Sequence, residues 1–159
     1  MWERLRRFSA LDSEARGLFL RAVVLLPVIS VSLKTRGFRA TQESLLHFRS
    51  RPVDEPSQVA TLPQLDIART QLTIRMVNAA VRHMSPGSTC LERSLALWWL
   101  LRRQGIASDL RIGARKVDNK FEAHAWVEHN GIAINEPENL HRHYASFDTA
   151  FPPPTSEPL

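Results

Sequence analysis

Two short stretches of this chain carry residue types that do covalent chemistry. Cys90 is the single cysteine, and His124 lies on an alternating stretch downstream of it. A cysteine attacks a carbonyl as its thiolate, and an adjacent imidazole can hold it in that form as an ion pair. The imidazole also protonates the leaving amine, so a third group must hold it in one orientation. Glu136 and Asn135 stand on the next apolar stretch, and either could reach the ring. Only alternate strand positions face the same way, so the two are not expected to serve together. Trp126, two residues after His124, is a candidate substrate contact that would also exclude water.

Each of these residues has an ordinary alternative. A lone cysteine on a helix is usually a small buried hydrophobe, and a tryptophan is more often core than site. What favours chemistry is where the local signals put them. Thr89 followed by Glu92 has the form of a capping box, which makes Cys90 the first helical residue. The free N–H groups and the positive end of the helix dipole there favour a thiolate. Leu91, Leu95, Trp98 and Leu101 recur at helical spacing, and Gly105 supplies the stop. Phe121 to His129 alternates as a strand, with Glu122, His124 and Trp126 on one face and Ala123, Ala125 and Val127 on the other. Asn130-Gly131 is a hairpin turn, and Gly131 to Glu136 reads as the return strand. A helix-start cysteine, a strand histidine and a carboxylate or amide on the next strand form the order of papain-like and transglutaminase-like cysteine enzymes.

The rest of the chain is read as the support for these elements. Asp12 or Ser13 caps a helix running from Glu14 towards Thr35, interrupted by Pro27 and ended by Gly37. Leu18 to Leu33 is short for a membrane span and is expected to be a kinked core helix. Met1 to Ala10 forms a short amphipathic helix, Gln42 to Phe48 another, and Arg51 to Ser57 a turn-rich loop. Pro63 to about Met84 follows helical spacing. Leu110 to Arg115 alternates as a strand, Lys116 to Lys120 is a polar turn, and Phe151 to Pro158 is a Pro-rich tail. The expected fold class is α+β: a helical N-terminal segment (1–62), a transglutaminase-like or papain-like core (63–148) with the Cys90 helix on a small antiparallel sheet, and a tail (149–159), in one compact unit.

Composition narrows the function. With 159 residues, 43% hydrophobic and 23% charged, the chain has the make-up of a soluble globular protein. A single cysteine makes no internal disulfide, and no secretory signal pattern is present, so a cytoplasmic location is expected. The net charge of +5 is largely arginine, but the arginines are dispersed and not interleaved with aromatics, which argues against nucleic-acid binding. His141, His143 and Tyr144 lack any metal-ligand spacing, and no metal or cofactor is expected. His47 and His83 read as surface or packing residues, His129 as a solvated turn residue, and Glu128 and Glu138 as solvated.

The residues also match a known pattern. Cys90-Leu91-x-Arg93-Ser94-Leu95-Ala96-Leu97, Leu100-Leu101-Arg102-Arg103-x-Gly105-Ile106, Leu110-Arg111-Ile112-Gly113 and Ala123-His124-Ala125-Trp126-Val127-Glu128 closely resemble the transglutaminase-like leader peptidases of lasso-peptide biosynthesis, the B proteins. The resemblance runs from about Val77 to Glu138. It implies removal of the leader from a ribosomally made precursor peptide, after which a separate ATP-dependent synthetase closes the macrolactam. It makes Cys90 the nucleophile and His124 the general base and acid. The third member, usually an aspartate there, falls on Glu136, with Asn135 as the fallback. Some members carry a strand-rich leader-recognition module, which the helical pattern before Cys90 does not show. Recognition is therefore expected from a separate protein. Two other readings use the same fold: an acyl transferase with the same Cys–His dyad, and a non-catalytic peptide-binding or scaffold subunit. Membrane contact through the first helices is a further, less favoured possibility.

Overall fold

The computed structural model describes residues 12–47, 63–84, 87–136 and 143–146. The helix expected at Met1–Ala10, the loop at Arg51–Ser57, the tail from Phe151, and Glu138 and His141 lie outside these.

The first helix, α1 (Ser13–His47), is opened by Asp12, whose carboxylate accepts the Ala15 N–H at 2.7 Å as an N-cap does. Pro27 lies inside it without a departure from helical dihedrals. The break falls at Gly37, with φ 77° and ψ 179°, a conformation that glycine adopts without a Cβ penalty. The helix resumes at once, so the expected separate helix at Gln42 is the end of this second segment. Thr41 fastens the two segments together: its hydroxyl donates to the Gly37 carbonyl at 2.7 Å and shares a hydrogen bond with Ser32 at 2.8 Å.

The expectation of a core helix holds for one face of α1. Leu18, Ala22, Leu26 and Ile29 are buried, while Leu20, Val24, Val28 and Val31 are exposed. Apolar residues go right round this helix, so one stripe meets the core and the other does not. By length and composition α1 could cross a membrane, with a mean hydropathy of 1.8 in its most apolar window.

Helix α2 (Pro63–Met84) begins on a proline, which costs nothing at a position whose N–H has no helical partner. Helix α3 (Cys90–Arg103) carries both halves of the expected capping box: Thr89 N–H to Glu92 Oε2 at 2.7 Å, and Glu92 N–H to Thr89 Oγ1 at 3.3 Å. Gly105, at φ 77°, follows its end. Leu26 and Ile29 of α1, Val77 of α2, Leu95 and Leu101 of α3 and Val127 of the sheet share a single core.

The sheet is antiparallel, in the order β3-β2-β1-β4: β1 (Asp109–Val117), β2 (Lys120–His129), β3 (Ile132–Ala133) and β4 (Ala145–Ser146). The polar turn expected at Lys116–Lys120 narrows to Asp118-Asn119, both at positive φ (48° and 63°), as a tight two-residue hairpin requires. Asn130 and Gly131, at φ 51° and 75°, make the second hairpin. The return strand is much shorter than the expected Gly131–Glu136. The Asn135 side chain, not a strand backbone, accepts the Val127 N–H at 2.8 Å, and pairing stops there. β4, which pairs with β1 at Gly113 and Ala114, has no counterpart in the sequence reading. Over the described residues the fold is α+β, three helices packed with a small antiparallel sheet.

Candidate active site

Helix α3 and strand β2 run side by side in the same direction. The Ser94 hydroxyl donates to the Ala125 carbonyl at 2.9 Å. One turn on, the Trp98 indole donates to the Ser108 carbonyl at 3.1 Å, next to Asp109, which pairs with Glu128. Cys90 lies one turn back from Ser94, about 6 Å along the axis. The same distance back along β2 from Ala125 is about two residues. This brings the Cys90 end of α3 level with Ala123 and His124. Cys90 is half-buried. Among the described residues no hydrogen bond joins its thiol to the His124 ring, and such contacts commonly tighten only when substrate is bound.

His124 is held on three sides. Its Nε2 lies 3.0 Å from Glu136 Oε2, with the ring 12% and the carboxylate 3% exposed. The carboxylate sits off the N–H direction, so this is a close polar contact and not an aligned hydrogen bond. Trp126 lies nearly parallel to the ring, with centroids 6.2 Å apart, and Tyr144 is tilted against it at 5.1 Å. With Nε2 facing Glu136, Nδ1 is the nitrogen left for proton exchange. The other oxygen of Glu136 is 3.5 Å from Arg93 Nη2, and Arg93 is three residues after Cys90 on α3. One buried carboxylate thus connects the cysteine helix to the histidine strand.

The two residues left as alternatives for the third position do different things. Glu136 reaches the ring. Asn135 faces the other way, its carbonyl on the Val127 N–H and its amide donating to Ser94 Oγ at 2.9 Å. Asn135 therefore fastens β2 to α3, and the ring contact expected of it as a fallback is not made.

Trp126 as a substrate contact needs correction. It is 2% exposed, and its indole N–H donates to Glu128 Oε1 at 2.9 Å. Buried in this way, it supports the His124 ring and offers neither a substrate surface nor a spare donor. Glu128 is likewise not solvated: besides Trp126 it holds Arg111 Nε at 3.0 Å. His129 is tied to the Ala107 carbonyl through Nδ1. His47, His83 and His143 are exposed. Among the described residues no group of three His, Cys, Asp or Glu side chains is gathered as a metal site requires.

Three contributors went unassigned in the sequence reading. Gly113, paired with His124 in the hairpin register, lies under the Trp126 ring; a Cβ there would stand 3.0 Å from two ring carbons and 2.9 Å from Tyr144 Cβ. Tyr144 is in turn covered by the Arg115 guanidinium at 4.7 Å, which Glu122 grips at 2.7 Å. That hydrogen bond holds the Arg115 pKa above its ordinary value. Arg93 is the third. Gly113 had a legible signal, a glycine inside a strand pattern, which often marks close approach of another group. Tyr144 and Arg93 had none, since their partners are set by tertiary structure.

Residues 29–149 match the family model of the transglutaminase-like superfamily, and the chain belongs to that superfamily. That superfamily includes cysteine peptidases and transglutaminases. The matched span takes in the second part of α1 as well as α2, α3 and the sheet. No curated protein and no solved structure gives a match to the chain.

Proposed function

We propose that this protein is a cytoplasmic cysteine endopeptidase that removes the leader from a lasso-peptide precursor before macrolactam formation. It would work with a separate leader-recognition protein and hand its product to an ATP-dependent synthetase. The observation that carries the catalytic part is the buried contact between Glu136 and His124 Nε2, on a strand level with the helix-start cysteine of a transglutaminase-like chain. The substrate class comes from the run of motifs around Cys90 and His124 that resembles the lasso leader peptidases.

In this mechanism His124 Nδ1 takes the Cys90 proton and the sulfur attacks the scissile carbonyl. The Cys90 backbone N–H, free at the first position of α3, is placed to donate to the oxyanion. The tetrahedral adduct collapses with loss of the amine, which receives its proton from His124, and a thioester remains on Cys90. Water, deprotonated by His124, attacks the thioester, releases the leader as a carboxylate and restores the thiol. Glu136 stabilises the imidazolium in both halves and keeps Nδ1 turned towards the sulfur.

The test is mass spectrometry of a lasso-type precursor incubated with the protein, with and without the recognition protein, for wild type and Cys90→Ala. Cleavage at one bond by wild type alone is the expected result. An amine adduct in place of a hydrolysed leader would make the protein an acyl transferase. An intact precursor, with both proteins folded and bound, would make it a non-catalytic peptide-binding subunit.

A further inference from the structure

The edge of β2 beside His124 is unoccupied by any strand among the described residues. The β1–β2 hairpin closes on Val117 and Lys120, so the backbone groups of Glu122, His124 and Trp126 point to β1. Those of Phe121, Ala123, Ala125 and Val127 point outward. The outward groups of Val127 are taken by Ile134 N–H at 2.9 Å and by Asn135, and the Ala125 carbonyl is taken by Ser94. Beyond them, the outward N–H and C=O of Ala123 and Phe121 have no partner among the described residues.

Among the described residues no element covers this edge, and its charged side chains are Lys120 at its end and Glu122, which is paired with Arg115. Open edges are usually blunted by proline, bulges, inward charges or a covering element. Here the pairing with β1 runs without a bulge from Asp109 to Val117, the segment has no proline, Ala123 is exposed, and Phe121 is 81% exposed. The reason it is open is local. Asn135 ends the pairing of β3, and the chain turns so that Glu136 meets His124 instead of continuing along β2.

We infer that the Phe121–Ala125 edge is the substrate site, where an extended peptide adds to the sheet as a further strand. This rests on the peptidase reading above and deepens it. Strand addition satisfies backbone groups of any sequence, while side chains at alternate positions supply selectivity. A peptide paired with Ala123 lies level with the Cys90 end of α3, where its carbonyl can be attacked. The same pairing places a peptide side chain against Phe121, which selects an apolar residue there.

The cleavage experiment uses the unaltered protein with its recognition partner. A cleaved precursor peptide is resynthesised with an N-methyl group on each residue flanking the scissile bond in turn. N-methylation removes one backbone donor and leaves the side chain in place. Strand addition predicts that KM rises about three- to tenfold at every second position, the fold-change of one lost hydrogen bond, with little change between them. Hydrogen exchange in the Cys90→Ala protein should slow at the Phe121 and Ala123 amides when the unmodified peptide is added. A cleaved series with no alternation, or with those amides unprotected, overturns strand addition and leaves the peptidase. Failure of the wild-type protein to cleave any precursor peptide overturns both.

Discussion

Replacing Glu136 and replacing Asn135, neighbours in the chain, should damage the protein in different ways. Glu136→Gln preserves volume and removes the charge beside His124. At 3.0 Å and an effective dielectric constant of about 20, the attraction between carboxylate and imidazolium is about 5 to 6 kcal/mol before desolvation. A glutamine oxygen keeps part of this as a dipole, but its NH₂ can donate to Nε2 instead and place the ring proton on Nδ1, where it blocks the base. The expected outcome is a kcat lower by about two to four decades, with the midpoint of thermal unfolding changed much less. Asn135→Ala removes the acceptor of the Val127 N–H and the donor to Ser94, both at buried positions. The orphaned Val127 N–H costs about 1 to 3 kcal/mol, while Ser94 keeps its bond to the Ala125 carbonyl, so Tm should fall by about 2 to 12 °C for a chain of this length. Precursor cleavage below the new Tm should retain most of its rate. The assay is single-turnover cleavage beside differential scanning calorimetry on the same samples. A Glu136→Gln protein within threefold of wild type would refute the role given to Glu136. An Asn135→Ala protein that melts normally but does not turn over would return the third position to Asn135.

Two further substitutions probe the support of the site. Gly113→Ala places a methyl group 2.9–3.0 Å from Tyr144 and Trp126. The two rings against His124 must shift, with an expected loss of about 1 to 3 kcal/mol of stability and of about 10²-fold in kcat from the displaced imidazole; unchanged turnover would show that these rings do not position His124. Thr89→Ala removes the side-chain half of the α3 capping box and should cost about 1 kcal/mol, read as a lower urea midpoint at unchanged m-value.

The parts of this molecule that were legible in the sequence are those determined by their own neighbours. Thr89 and Glu92 find each other within one turn, so the start of α3 and the place of Cys90 on it followed from spacing alone. The Asn130-Gly131 turn and the alternation of β2 were legible for the same reason, and the pairing of β1 with β2 needs only a short turn. Pro63 and Gly37 marked boundaries through dihedral preferences that any chain obeys. The length of the return strand was not legible, because a side chain from Asn135 replaced a backbone group in the ladder and no periodicity registers that exchange.

The same division runs through the site. Cys90 stands out as the single cysteine at a recognisable helix start, and His124 as a histidine within a recognisable strand. The choice between Glu136 and Asn135 could not be made, since adjacent residues on a strand point apart and the sequence does not say which faces the ring. The structure separates them through two contacts each, one on β2 and one on α3: His124 and Arg93 for Glu136, Val127 and Ser94 for Asn135. Arg93 and Ser94 are consecutive on α3, one turn beyond Cys90, and they take up two consecutive residues from the end of the hairpin. That double attachment sets the height of the cysteine helix along the histidine strand. A helix and a strand have no local reason to sit at one height. Here the height is set by the same two-residue corner that ends β3 and turns Glu136 onto the imidazole, and that leaves the adjoining edge of β2 without a paired strand among the described residues.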